Sequence, residues 1–283
     1  MLKPPREGQA FQPVTGDRLE NLSHTNIATS VDGGVGTITI DRPARFNSLD
    51  DETARDLRKA GLRFARDTAI RAVVLRGTNG VFCSGADLKY IRASENFGDA
   101  FRSILEYIHS TISEIRRAPK PFIAAVDGIA AAGGFGLAMS CDLVIASDRA
   151  AFEWAYSKTS LTGAESSTFM LPRLIGLRRA MELLLLNPRL DAARALEYGL
   201  INRVVPVAAF DDEVQRIAQQ LAAGPTEALG IAKEMLNQAA GMDRLDVHLD
   251  RELEHLGRIA NGSNFAEGID AFFAKRSPEF GAA

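Results

Sequence analysis

Cysteine is scarce. Cys83 and Cys141 are the only two in 283 residues; they stand far apart in apolar surroundings and form no CxxC pair. That usage excludes a disulfide scaffold or a thiolate metal cluster and fits buried thiols in a reducing compartment. Histidine is nearly as rare. His24, His109, His248 and His255 fall at no metal-ligand spacing, so all four are expected at structural or surface positions and no metal is implied. An excess of one charge is also missing: the net charge of −3 offers no footing for nucleic acid or an anionic membrane surface. No apolar run reaches the length of a membrane span, and the first residues, polar with Pro and Gly, lack the apolar core of a secretory signal. A cytoplasmic protein without membrane or nucleic-acid partners is the expectation.

What remains is a chain of ordinary composition, 46% hydrophobic and 24% charged, long enough for a large buried core. Its most distinctive stretch runs from Pro121 to Ser147, PFIAAVDGIAAAGGFGLAMSCDLVIAS. An apolar run, Phe122 to Val126, breaks at Asp127-Gly128. A small-residue turn through Ala130-Ala131-Ala132-Gly133-Gly134 leads to a helix-like segment around Leu137-Ala138-Met139 and a second apolar run, Leu143 to Ala146. The pattern predicts strand, glycine turn, helix, strand. Residues without side chains at such a junction let a ligand approach the backbone, and the first N–H groups of the helix have no intrahelical partner. Tight helix–sheet packing explains the same glycines equally well. A second small-residue turn, Ser84-Gly85-Ala86-Asp87, follows another apolar run. Two such turns supply the N–H donors of an oxyanion hole if they meet, and periodicity does not say whether they do.

The rest of the chain divides into three parts. Residues 1–22 read as an extended or disordered arm. Residues 23–207 alternate strands and helices: a hairpin over 25–40 turning at Asp32-Gly33-Gly34, helices over 51–67 and 99–117, a strand over 72–76, and helices over 167–175 and 177–186. Asp191 then caps a helix that ends at Gly199, and a last strand covers 202–205. Residues 208–283 are helical in period throughout, over 210–223, 226–239, 243–260 and 264–275.

Taken together, Arg42-Pro43 with Asn47-Ser48-Leu49, FCSGADLKYI, AAVDGIAAAGGFGLAMSCDLVIAS, Leu171-Pro172-Arg173-Leu174-Ile175-Gly176, Ala195 to Val205 and the tail from Glu267-Gly268 to Lys275-Arg276 resemble the crotonase superfamily, the enoyl-CoA hydratases and isomerases. The resemblance implies an α/β crotonase-like spiral of ββα units with a C-terminal helical trimerisation region. It implies a homotrimer or dimer of trimers, with an acyl-CoA thioester as substrate and no separate cofactor. By position the oxyanion donors would be the backbone N–H groups of Ala86 and Gly133. Arg45, Ser84, Asp87, Leu88, Lys89, Gly134 and Tyr156 would lie along the thioester and CoA path, with Phe272 and Lys275 of a neighbouring subunit closing over the nucleotide end. Lys89 and Lys275 read equally as solvated charges, and Asp87 and Asp142 as structural carboxylates.

Hydration in this family uses two glutamates, and here their positions fall on Gly136 and Tyr156. An efficient standard hydratase is therefore not expected. Relatives that lack both, namely enoyl-CoA isomerases, ring-epoxide isomerases and 4-chlorobenzoyl-CoA dehalogenases, use one carboxylate further on. Counted back from Pro172 it would fall on Ala164, with Glu165 one residue late. On a regular helix that offset is about 100° of rotation; in a loop it matters less. The expectation is a proton-shifting isomerase built on Glu165. The alternatives are an aryl- or acyl-CoA hydrolase or dehalogenase using Glu165 as nucleophile, and an acyl-CoA-binding paralogue without acid–base chemistry. Glu165 also reads as a helix-start acid exposed to water.

Overall fold

The computed structural model describes residues 26–281; the expected N-terminal arm and His24 lie outside them. Two strands open the fold, β1 (Ile27–Asp32) and β2 (Val35–Ile40), an antiparallel hairpin, followed by α1 (Asp51–Arg66). Three strand pairs follow, each completed by helix: β3 (Ala72–Gly77) and β4 (Val81–Cys83) with α2 (Leu88–Ala93) and α3 (Phe97–Arg117); β5 (Phe122–Val126) and β6 (Ile129–Ala131) with α4 (Gly133–Ser140); β7 (Leu143–Ser147) and β8 (Ala151–Glu153) with α5 (Ser167–Leu186). The first strand of each pair joins a six-stranded sheet of order β1-β2-β3-β5-β7-β10 and the second a smaller sheet of order β4-β6-β8-β9. β9 (Leu190–Asp191), α6 (Ala192–Tyr198) and β10 (Arg203–Val205) complete the two sheets. The chain therefore winds as a spiral of ββα units, the crotonase fold.

Side-chain alternation explains the layering. Val74, Ile123, Ala125 and Ile145 share one face of the large sheet with Phe210, Val214 and Ala218 of α7 (Phe210–Ala223). Val73, Leu75, Ala124 and Val126 point the other way, into the main core with α1 and α3. Buried on both faces, these parallel strands are almost wholly apolar. α8 (Thr226–Ala239), α9 (Leu245–Ala260) and α10 (Ser263–Ala274) complete the helical C-terminal region. α9 packs along α3, and partly buried Lys233 on α8 donates to the Ile115 and Lys120 carbonyls and to Asp142. Asp142 also takes the Phe122 N–H and Arg116, which makes it a structural carboxylate.

Two expectations need correction. The small-residue turn of the distinctive stretch is not all turn: Ile129–Ala131 is a strand, because a partner waits on each side, β4 and β8. The turn shrinks to Ala132, at φ +47°. The helices expected over 167–175 and 177–186 are both present within α5, separated where Gly176 leaves helical geometry at φ +77°, and that expectation stands. α3 begins at Phe97 rather than 99, capped by the Asn96 side chain on the Asp99 N–H.

One ion-pair cluster ties the first hairpin to the β4–α2 junction. Arg42 pairs with both Asp50 and Asp87 and donates to the Ser48 carbonyl. Asp50 caps α1 and Asp87 caps α2. Burial pushes the Asp87 carboxyl up, but Arg42 and the Tyr90 and Lys89 N–H groups outweigh it and hold it below the usual range. Arg42→Met leaves two carboxylates without their common cation. It is expected to lower unfolding free energy by about 2–4 kcal/mol, measured by urea denaturation at neutral pH; a loss under about 0.5 kcal/mol would contradict this account.

Candidate active site

β4, β6 and β8 run parallel, so their carboxyl ends lie side by side, and each passes into a junction that carries part of one site. At the first, Leu49 sits between the strands of the loop: its N–H donates to the Gly85 carbonyl and its carbonyl accepts from Asp87 N–H, both at 2.8 Å. Backbone direction alternates, so the Ala86 N–H faces away from Leu49. Asn47 braces the same loop, its amide donating to the Thr78 and Val81 carbonyls and accepting from Arg42 N–H. The Asn47-Ser48-Leu49 motif thus fixes the direction of the Ala86 N–H.

At the second junction Ala132 takes a strained conformation at φ +47°, ψ −117° and α4 starts directly at Gly133. Gly133 heads the helix and has no intrahelical acceptor. Among the described residues neither the Ala86 nor the Gly133 N–H donates to a backbone carbonyl. The two turns meet: a methyl group placed on Gly85 would lie 3.2 Å from the Gly133 nitrogen and 2.8 Å from the Ala132 Cβ.

The third junction, between β8 and α5, holds Tyr156 and Glu165. Glu165 and Ser166 both have left-handed backbone, φ +51° and +62°, and α5 begins only at Ser167. The one-residue offset therefore falls in a loop, where helical rotation does not apply. Glu165 is 3% exposed, not the solvated helix-start acid of the other reading. A methyl on Gly133 would fall 2.6 Å from its Oε1, and one on Gly136 would fall 2.8 Å from its Cβ and 2.3 Å from its carbonyl oxygen. The missing side chain at Gly136 is the space Glu165 occupies. Its other oxygen, Oε2, accepts a hydrogen bond from the Tyr156 hydroxyl. Positions 136 and 156 are thus a gap that admits Glu165 and a tyrosine that holds it.

Two neighbours escaped the sequence reading. His109 on α3, expected at a structural or surface position, is buried beside the site, and its Nε2 accepts the Glu165 N–H at 3.3 Å. Burial lowers its pKa to about 4, so the ring is neutral and its 3.9 Å approach to Glu252 is no ion pair. Glu252 on α9, also buried, accepts from Ser166 N–H at 2.8 Å and Thr168 N–H at 3.2 Å, a cap delivered to α5 from another helix. Both residues sit in the apolar stripe of their own helix, His109 between Leu105 and Ile112, Glu252 between Leu249 and Leu256. A polar side chain within such a stripe was the available signal.

Other candidates divide. Ser84 and Leu88 are half-buried beside the first junction, Gly134 is buried in α4 and Arg45 is half-buried in the turn before α1. Asp87 spends both carboxylate oxygens on Arg42, Lys89 N–H and Tyr90 N–H, so its side chain has a structural task. Lys89 is exposed on α2, and Phe272, 55% exposed, and Lys275 stand at the end of α10. Among the described residues no group of three or more His, Cys, Asp or Glu could hold a metal ion.

Burial, the largest influence, together with the Glu252 charge raises the Glu165 pKa to about 8 against the opposing Tyr156 bond. A carboxyl near neutrality can both take and give a proton. The same shift burdens the fold: the unfolded chain ionises near 4.5, so stability is full below that pH and falls as pH rises through about 8. Glu165→Gln removes this loss. The variant is expected to gain on the wild type progressively from pH 5 to pH 9, by ~3–5 kcal/mol at most. Urea denaturation at several pH values checks it, and a pH-independent difference would contradict it.

The Enoyl-CoA hydratase/isomerase family model matches residues 30–283. The chain is 37% identical over 256 residues to 1,2-epoxyphenylacetyl-CoA isomerase of Escherichia coli (strain K12), covering 90% of this chain and 97% of that one. It is 35% identical over 260 residues to 4-chlorobenzoyl coenzyme A dehalogenase-1 of an Arthrobacter species, covering 91% and 94%. The crystal structure of an enoyl-CoA hydratase from Mycobacterium avium subsp. paratuberculosis K-10 superposes with a TM-score of 0.83 at 31% identity, over 91% of this chain and 99% of that one.

Proposed function

The chain belongs to the enoyl-CoA hydratase/isomerase family, and on that premise we propose that it is an enoyl-CoA isomerase-like enzyme, a Δ3-Δ2 proton shifter working with a single carboxylate. The observation that carries the reading is the position of Glu165 Oε1 against Gly133, with no carboxylate at positions 136 and 156. The thioester oxygen of a 3-enoyl-CoA would accept from the Ala86 and Gly133 N–H groups. Glu165 then takes a proton from the carbon beside the carbonyl, and the electron pair moves through the carbonyl to the oxygen as a dienolate. The same carboxyl returns the proton two carbons further along, which leaves the double bond conjugated with the thioester. The donors act most strongly on the negative oxygen, so they lower the barrier and not just the substrate's energy. The step calls for neither a metal nor a redox cofactor.

A second reading rests on the 35% identity to a chlorobenzoyl-CoA dehalogenase: Glu165 as a nucleophile on an aryl- or acyl-CoA. Both roles use the ionised carboxylate, but only the proton shift also uses the acid form, and a carboxyl whose pKa burial raises to about 8 can take the proton and give it back. Purified protein is expected to isomerise a 3-enoyl-CoA with little hydration of crotonyl-CoA, followed spectrophotometrically. Glu165→Gln is expected to lower turnover at least about a hundredfold while acyl-CoA binding persists. Fast crotonyl-CoA hydration, or full activity of the variant, would sink the reading. Turnover confined to aryl-CoA thioesters would favour the nucleophile, and binding without turnover a non-catalytic acyl-CoA-binding role.

The reading includes assembly as a trimer or dimer of trimers, in the cytoplasm, where the free thiols Cys83 and Cys141 would persist. Leu177, Met181 and Leu185 recur every four residues along α5 and are 62%, 47% and 69% exposed; Ile231 and Met235 on α8 are 53% and 64% exposed. Apolar rows of this size favour a protein partner over water. Light scattering is expected to give three or six times the chain mass of 30.6 kDa, reduced by Leu185→Glu. A monomer at micromolar concentration would refute this assembly.

A further inference from the structure

The two oxygens of Glu165 have different surroundings. Oε1 faces Gly133 and the oxyanion donors, while Oε2 meets the Tyr156 hydroxyl. That hydroxyl has a second acceptor in reach, the Ala164 carbonyl at 3.2 Å. A phenol carries one proton and accepts through its lone pairs, so it cannot donate to both at once. With Glu165 ionised, the hydroxyl donates to Oε2. With a proton on Oε2, the carboxyl donates to the phenol oxygen and the phenol donates to Ala164 instead. Rotation about one C–O bond therefore keeps both forms hydrogen-bonded in a site that is nearly closed to water.

We propose that Tyr156 is the positioning residue of this site: its hydroxyl donates to Glu165 Oε2 while Oε1 exchanges protons with substrate, and turns to the Ala164 carbonyl when the free enzyme holds its proton on Oε2. The role deepens the isomerase reading, on which its kinetic consequence rests. Tyr156 is itself 5% exposed, its ring packed against Trp154 with centroids 5.0 Å apart, so the ring stays in place and the hydroxyl proton is what moves. An unpartnered carboxylate oxygen at this depth would cost far more than one hydrogen bond returns.

The other titratable groups around Glu165 leave this task to Tyr156. The Cys83 thiol on β4 is pushed up to about 12 by burial and stays neutral. His109 on α3 is held neutral and accepts from backbone. Glu252 on α9 is bound to Ser166 and Thr168, with His248 beside it on Thr168 Oγ1, and its charge opposes ionisation of Glu165. Asp250 on the same helix acts on His109. Tyr156 donates to the carboxylate and so favours the ionised form.

Difference infrared spectroscopy against pH tests the pairing without depending on any reaction. The carboxylic C=O stretch of Glu165 is identified by its loss in Glu165→Gln. In Tyr156→Phe the ionised form loses its donor, so the midpoint of that band is expected to rise by about one pH unit. In the wild type, the C–O stretch of a tyrosine is expected to shift with the same midpoint as the carboxyl, and to stay flat in Glu165→Gln. A midpoint unmoved by Tyr156→Phe, or a tyrosine band that ignores the Glu165 titration, overturns the proposal. The wild-type tyrosine band decides the matter even if Tyr156→Phe does not fold. With a 3-enoyl-CoA, Tyr156→Phe is expected to lower kcat about tenfold with KM within twofold of wild type, and the acid limb of the rate profile to move upward with the infrared midpoint. A fall in kcat without that movement also overturns it. Full turnover in Glu165→Gln would instead refute the isomerase reading, while the spectra still judge the pairing.

Discussion

Everything functional here depends on the parallel pairing of β4, β6 and β8. Parallel strands present their carboxyl ends on one side, so three junctions far apart in the chain open onto the same point. The first brings the Ala86 N–H, the second the Gly133 N–H, the third Tyr156 and Glu165. The strands are only three residues each, too short to hold a register by themselves. The six-stranded sheet beneath sets it, since each short strand follows directly from one of its long ones. The large sheet is the scaffold and the small sheet is the bench on which the site stands.

Burying a carboxylate next to two aimed N–H donors sets stability against function. The fold accepts a Glu165 that is hard to ionise, then limits the penalty with one hydroxyl. Removing side chains is as important as adding them: Gly136 makes the volume in which Glu165 lies. A glutamate at 136 would collide with the carbonyl oxygen and Cβ of Glu165, so in this chain a side chain at 136 and Glu165 in its present place exclude each other sterically.

The C-terminal helices are part of the site although they carry none of its reacting groups. Glu252 on α9 caps α5 across the core, and His109 on α3, against which α9 packs, takes the Glu165 N–H. Together they hold two consecutive residues in left-handed backbone, a conformation that costs on the order of 1 kcal/mol or more per non-glycine residue. The position of the carboxyl is therefore determined by elements more than fifty residues away on either side.

Much of this was legible in the residues alone. Hydrophobic periodicity marked the helices and the large sheet, and the ordered motifs from Arg42 to Arg276 identified the family and pointed to the two small-residue turns, because small residues are required wherever a backbone must be approached. Three things required the fold. Ile129–Ala131 reads locally as a turn and became a strand because β4 and β8 flank it. The direction of Glu165 was open, since an offset of one residue turns a side chain by about 100° on a helix and means little in a loop, and the loop is held by the bonds of Ser166 and Thr168 to Glu252 and of Glu165 to His109. His109 and Glu252 looked like ordinary polar residues until α3 and α9 were set beside the third junction. Sequence alone determined the family and most of the elements, and marked the small-residue turns whose backbone is open to approach. Tertiary structure decided where the one carboxyl points and what surrounds it, because burial and long-range hydrogen bonds are properties of contacts that no local stretch contains.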